Sequence, residues 1–220
     1  MSTIRSLLCA TALATASLLA TGAQASAIFV DNASFETLNP GAVHNACSGA
    51  GCFFTVDSIP GWTNSGNSGQ FTNASPGYFN FIPDGVTVAY SNNNPISQTV
   101  SALAQAGTTY TLLVDFGFRN DTGDLAGMAL VVGDHTVAGT GTPLLNSRDW
   151  STYTASYTAT ADDAGKAIGI VLDTTGAQGD WDNVRLSAVP EPASWALMLT
   201  GFFGLGGALR ARRRTTLAAA

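Results

Sequence analysis

Short runs in which apolar and polar side chains alternate at every second position recur along this chain, punctuated by Gly, Ser, Thr and Asn. The clearest run is Tyr110 to Phe118: Tyr110, Leu112, Val114, Phe116 and Phe118 fall on one face, Thr111, Leu113, Asp115 and Gly117 on the other. Period two sends successive side chains to opposite sides of an extended backbone, so the run predicts a strand with one face in a core. Tyr153, Ala155 and Tyr157 alternate with Thr152, Thr154, Ser156 and Thr158 in a second strand. Ile168, Ile170 and Leu172 mark a third, behind an Asp162-Asp163-Ala164-Gly165 turn. Val86 to Tyr90, Ile96 to Val100 and Met128 to Val132 supply more. Turn residues punctuate these runs at roughly ten-residue spacing, and no helical period appears before Ala193. The expectation is an all-β fold, an antiparallel jelly-roll β-sandwich in one domain without internal repeats.

Both ends read as addresses. At the start, Arg5 precedes an apolar stretch from Leu7 to Ala20, and Ala23-Gln24-Ala25 or Ala25-Ser26-Ala27 offers small residues to signal peptidase. This predicts a signal peptide over residues 1–27 and export across the inner membrane. At the other end, Val189-Pro190-Glu191-Pro192 leads into an uncharged run from Ala193 to Leu209, followed by Arg210, Arg212, Arg213 and Arg214. Seventeen uncharged, largely apolar residues are just enough for one membrane-crossing helix, and the arginines would hold its far end on the cytoplasmic side.

The residues Val189-Pro190-Glu191-Pro192-Ala193-Ser194-Trp195-Ala196, with the arginines behind them, resemble the PEP-CTERM sorting signal in its Trp-Ala form. The resemblance implies that an exosortase-type enzyme recognises Pro190, Glu191, Pro192 and Trp195, which perform no chemistry themselves. The organisation expected is signal peptide 1–27, β-sandwich 28–188, sorting signal 189–214 and tail 215–220. The exported part would end up membrane-anchored through the C-terminal helix, or at the cell surface or beyond it after sorting.

Setting the ends apart changes the charge picture. The whole chain carries a net charge of −6, but residues 28–189 hold 14 acidic side chains against Arg119, Arg148, Lys166 and Arg185, a net charge of −10. Phosphate binding needs a basic patch, so nucleic acid is excluded as a partner. The cysteine count changes too, because Cys9 falls in the signal peptide. Cys47 and Cys52 remain, spaced by Ser-Gly-Ala-Gly, and read as a disulfide in an exported protein. The competing reading, a metal or redox pair, lacks both Cys-x-x-Cys spacing and a third ligand nearby.

A second resemblance rests on short motifs: Phe29-Val30-Asp31-Asn32-Ala33-Ser34-Phe35-Glu36 at the start, Ile59-Pro60-Gly61-Trp62 and Ser97-Gln98-Thr99-Val100 within, and Gly179-Asp180-Trp181-Asp182-Asn183-Val184-Arg185-Leu186 at the close. Together they resemble the galactose-binding-like jelly rolls found in carbohydrate-binding modules. That likeness implies a structural Ca²⁺ between the first and last strands, with Glu36 and Asp182 as ligands and backbone oxygens near Asn32 and Ser34. Strand alternation adds that Asp182 shares the inward face of Val184 and Leu186, where a carboxylate is costly unless paired or bound to a cation. The alternative is a solvated Asp182, or one that caps backbone groups.

Sugar recognition calls for aromatic platforms bordered by amides and carboxylates. Trp62, Tyr78, Trp150 and Trp181 are the candidates, Trp62 and Trp150 foremost, with Asn73 and Asn92-Asn93-Asn94 in polar loops. Catalytic signatures are scarce: His44 and His135 stand far apart, no Gly-x-Ser-x-Gly occurs, and Asp115-Phe116-Gly117 lies inside a strand. The reading is a non-enzymatic glycan-binding module associated with exopolysaccharide or extracellular matrix. A structural surface protein without a specific ligand, and a weak glycan hydrolase, are the alternatives.

Overall fold

A computed structural model describes residues 24–44, 52–64, 66–73, 77–121, 126–174, 178–191, 201–204, 206–207 and 210. Ala25–Val189 form one compact unit. Outside it, residues 201–204 are helical. Among the described residues no helix is long and apolar enough to cross a membrane. Most of the expected span 193–209 lies outside the described residues, as do Pro192, Trp195 and Cys47. Cys52 is buried.

Thirteen strands build the described part of the unit: β1 (Ser26–Ile28), β2 (Val43–His44), β3 (Phe54–Thr55), β4 (Thr63–Asn64), β5 (Ser68–Thr72), β6 (Thr87–Ser91), β7 (Ile96–Leu103), β8 (Thr108–Gly117), β9 (Ala126–Val132), β10 (His135–Ala138), β11 (Trp150–Thr158), β12 (Ala167–Thr174) and β13 (Gly179–Pro190). The first sheet runs β11-β8-β13-β6-β5-β3-β2, with β1 also paired to β13; the second runs β10-β9-β12-β7-β4. The fold is a two-sheet antiparallel sandwich, consistent with a jelly roll.

The alternation read along β8 places the core. Tyr110, Leu112, Val114 and Phe116 are buried, and they meet Ile96, Leu130, Ile168 and Ile170 from the second sheet. Each such side chain contributes about 1.5–3 kcal/mol by leaving water. β11 lies against β8 with Tyr157 opposite Tyr110 and Ser151 opposite Phe116. Its Tyr153 stacks on Phe116 at 4.1 Å between ring centroids.

β13 departs from the expected alternation. Asn183 takes a φ of +51°, which adds a residue to one side of the strand, as a bulge does. Trp181, Val184 and Leu186 therefore all reach the core. Asp182 turns off that face instead of sharing it, and its carboxylate meets the 84–86 turn.

The first sheet also has apolar side chains on its opposite face. Ala89 of β6 belongs to the central core, whereas its neighbours Val88 and Tyr90 join Phe71, Phe79, Tyr78, Ile82 and Trp150 in a second cluster. The segment 77–86, without regular structure, lies across this face.

Candidate functional site

The outer cluster forms an aromatic shelf. Trp150 opens β11 half-buried, its ring 4.5 Å from that of Phe79 at 42°. Its indole Nε1 donates to the Phe81 carbonyl at 2.8 Å, which fixes the ring's direction. The Phe81 side chain stands beside it 53% exposed. Asn73 explains how an irregular segment is held: its side chain accepts from Phe79 N and donates to Phe79 O, replacing a strand partner. On the far side Asn80 N donates to Arg148 O, and Asn80 Nδ2 donates to Asp149 Oδ1 at 2.7 Å.

A buried guanidinium lies within the shelf. Arg119 Cζ sits 3.7 Å from the Tyr78 ring centroid, a cation–π distance, and its Nε and Nη2 form a two-pronged pair with Asp121. Burial works against that charge, but the Asp121 hydrogen bond and the charges of Asp180 and Asp121 outweigh it, so its pKa moves up. The same hydrogen bond holds Asp121 below the usual carboxylate range. Arg148 adds a second guanidinium at the rim; it donates to Gly77 O. Chemically the shelf offers a fixed indole with one ring packed and one edge open, bordered by an amide, a carboxylate and a guanidinium.

A second constellation gathers at the acidic corner where the first loop, the 84–86 turn and β13 meet. Asp182 is fully buried; its Oδ2 accepts from Asp84 N at 2.9 Å and its Oδ1 from Asn183 N at 2.7 Å. Burial pushes its carboxyl up to about 8, the negative charges of Asp84 and Glu36 add to the rise, and the two N–H donors oppose it. Glu36 Oε1 accepts from Val86 N and Thr87 N, and the turn closes on it because Gly85 adopts φ +76° with no Cβ to strike the carboxylate. Gln70, buried in β5, donates to Phe35 O and Thr37 O and so fixes the loop that carries Glu36.

Glu36 and Asp182 both reach this corner, close enough for the charge of one to act on the other. Asn32 is committed to its own loop: Oδ1 accepts from Thr37 N, Nδ2 donates to Thr37 O and Pro60 O, and its carbonyl accepts from Phe35 N and the Trp62 indole. Ser34 is half-buried in that loop. Calcium needs six to eight oxygens. Among the described residues no group of three or more His, Cys, Asp or Glu side chains is arranged to hold a metal ion.

The sequence candidates part company in other ways. Trp62 is 7% exposed, packs on Phe35 at 5.3 Å and belongs to the core, so it offers no platform to a sugar. Trp181 is likewise core. Asn92 and Asn94 tie their turn to Asn67 and Gly66. His44 stacks on Phe54, and His135 on Tyr157. Asp115 is held by Thr152, Asn183 and Arg185 on the outer sheet face. Sequence reasoning missed Phe81, Arg119, Arg148 and Asp84. Only Asp84 had a local signal, the Pro83-Asp84-Gly85 turn, which points to a bend but not to its partner 98 residues away.

No curated protein sequence matches this chain. Solved structures with a similar backbone include the CBM22-1 xylan-binding domain of Xyn10C from Paenibacillus barcinonensis, 12% identical over 59% of this chain and 86% of that one, TM-score 0.43. TmCBM61 in complex with β-1,4-galactotriose is 14% identical over 73% and 98%, TM-score 0.39. A CBM4 structure is 19% identical over 73% and 99%, TM-score 0.35. Likenesses this distant bear on neither ligand nor mechanism. A family match does reach across the whole sandwich: residues 26–187, from β1 to the paired part of β13, match the HpiC1-like family, described as HpiC1 cyclase. The chain belongs to the HpiC1-like family.

Proposed function

We propose that this sandwich is a glycan-binding module of an exported protein, with its ligand on the aromatic shelf. The observation that carries this is Trp150, a half-buried indole locked by Phe79 and by the Phe81 carbonyl beside Asn80, Asp149 and Arg148. Sugar C–H faces pack on such rings while hydroxyls need fixed polar partners. The strongly acidic domain suits a neutral polysaccharide better than an anionic one. In this reading the protein associates with exopolysaccharide or extracellular matrix. Signal peptidase removes its leader, and an exosortase-type enzyme acts at Pro190-Glu191-Pro192, with Cys47 and Cys52 joined in the exported form. Affinity electrophoresis against a panel of soluble polysaccharides tests the binding. Retardation that Trp150→Ala abolishes supports it, and migration unaltered by any of them refutes it.

A second reading is favoured by one observation. The family carries the name of a cyclase. A carboxyl raised to about 8, as Asp182 is, stays protonated at neutral pH and has a proton to give to a substrate. Asp182 would then serve as a general acid. Turnover of a cyclisable substrate that Asp182→Asn removes while the fold persists would favour this reading over the first.

A further inference from the structure

The sequence leaves two places where a leader could be cut, after Ala25 or after Ala27. The fold separates them. β1 consists of Ser26, Ala27 and Ile28, paired with Ala188, Ser187 and Leu186 of β13, and Ser26 Oγ donates to Ala188 O at 3.4 Å. A cut after Ala27 removes two of these three residues. It leaves the part of β13 beyond Leu186 without its neighbour and puts a charged amine on Ile28, which packs against the core. A cut after Ala25 keeps the whole strand and puts the amine on Ser26, an exposed residue. Two further boundaries lie at or next to this one: the family match opens at residue 26, and the compact unit opens one residue earlier, at Ala25.

We infer that the peptide bond between Ala25 and Ser26 is the processing site, and that the mature domain begins at Ser26. The proposal rests on the export reading. Signal peptidase hydrolyses the amide: water gives its hydroxyl to the Ala25 carbonyl carbon, and Ser26 leaves as a free amine. Ala23 and Ala25 are the small residues that the enzyme reads, and Ala27 becomes the second residue of β1. The cut therefore lies at the very edge of the folded unit, directly ahead of β1, and the first strand of the mature chain pins the last one directly before the sorting motif.

The test is the N-terminus of the full chain expressed in an exporting bacterium, read by intact mass and N-terminal sequencing, beside Ala25→Leu and Ala27→Leu. Expected is Ser26 as the first residue of the wild type, the same end in Ala27→Leu, and loss of that end in Ala25→Leu. An Ile28 end in the wild type overturns the assignment but leaves export intact. A wild-type chain still starting at Met1 overturns both.

Discussion

Trp150 and Phe79 meet as tilted rings, their centroids 4.5 Å apart, above Gly117, and it is the missing side chain at Gly117 that lets them meet. A Cβ there would come within 2.5 Å of Phe79 Cε1 and 2.9 Å of Trp150 Cη2. Gly117→Ala therefore has to push both rings off the sheet. Overpacking of this kind costs about 1–3 kcal/mol. The expected outcome is a lower denaturant midpoint and glycan affinity reduced as in Trp150→Ala. A buried aromatic anchor is worth about 2 kcal/mol, roughly 30-fold in Kd. Isothermal titration with the polysaccharide found by electrophoresis checks both variants. Gly117→Ala with unchanged affinity would remove Trp150 and Phe79 from the site.

How much of this was legible in the chain depends on how far apart the partners are. β8 was, because the period-two pattern of Tyr110 to Phe116 is a local consequence of one face being buried. β13 was not, because the same rule places Asp182 with Val184, and only the φ of Asn183 breaks the phase. A single extra residue inverts every face assignment before it. Trp62 and Trp150 look equivalent in sequence, yet one packs on Phe35 in the core and the other on Phe79 outside it. The shelf itself depends on a segment with no period, held by side-chain bonds such as those from Asn73. Hydrogen bonds of that kind leave no repeat to find.

The acidic corner has a pH signature. The Asp182 carboxyl is raised to about 8 in the folded protein, against an unfolded value of about 3.9. Between these values the folded chain holds a proton that the unfolded chain has lost. Its contribution therefore makes stability fall as pH rises from about 4 to about 8, and level off above. Asp182→Asn removes this slope, at the expense of about 1 kcal/mol for one acceptor lost to Asp84 N or Asn183 N. Urea denaturation of both proteins across pH 4–9 checks it. A variant with the wild-type slope would place the titrating group elsewhere.

Glu36 should tune that titration. Its charge raises Asp182, while its Oε1 accepts from Val86 N and Thr87 N, bonds that a glutamine carbonyl can keep. Glu36→Gln is expected to leave the turn closed and to move the Asp182 midpoint to lower pH, as read from the carboxyl carbon shift by NMR. Because the corner's charge is relieved by a proton, EDTA followed by excess Ca²⁺ is expected to leave the melting temperature unchanged. A calcium-dependent rise abolished by Glu36→Gln would restore the cation reading.

Asp163 behaves in the opposite sense. It sits in a 3-10 turn, Ala161–Asp163, ahead of β12, fully buried, and Oδ2 accepts from Thr160 N, Thr160 Oγ1 and the Tyr157 hydroxyl. The backbone N–H of Thr160 and then its hydroxyl hold the carboxyl down to about 2. A folded value below the unfolded one means that the stabilisation is fully present above about pH 4 and is lost as pH falls towards 2. Oδ1 faces His135 Nε2 at 3.5 Å and Lys166 Nζ at 4.0 Å, so the Lys166 ammonium leans on the same carboxylate. Asp163→Asn keeps one acceptor but turns an amide toward donors it cannot satisfy. The expected result is a melting temperature well below the wild type at pH 7, with the gap narrowing as both are acidified towards pH 2. A gap of constant size across that range would mean that packing around the turn, and not the ionised carboxylate, accounts for the loss.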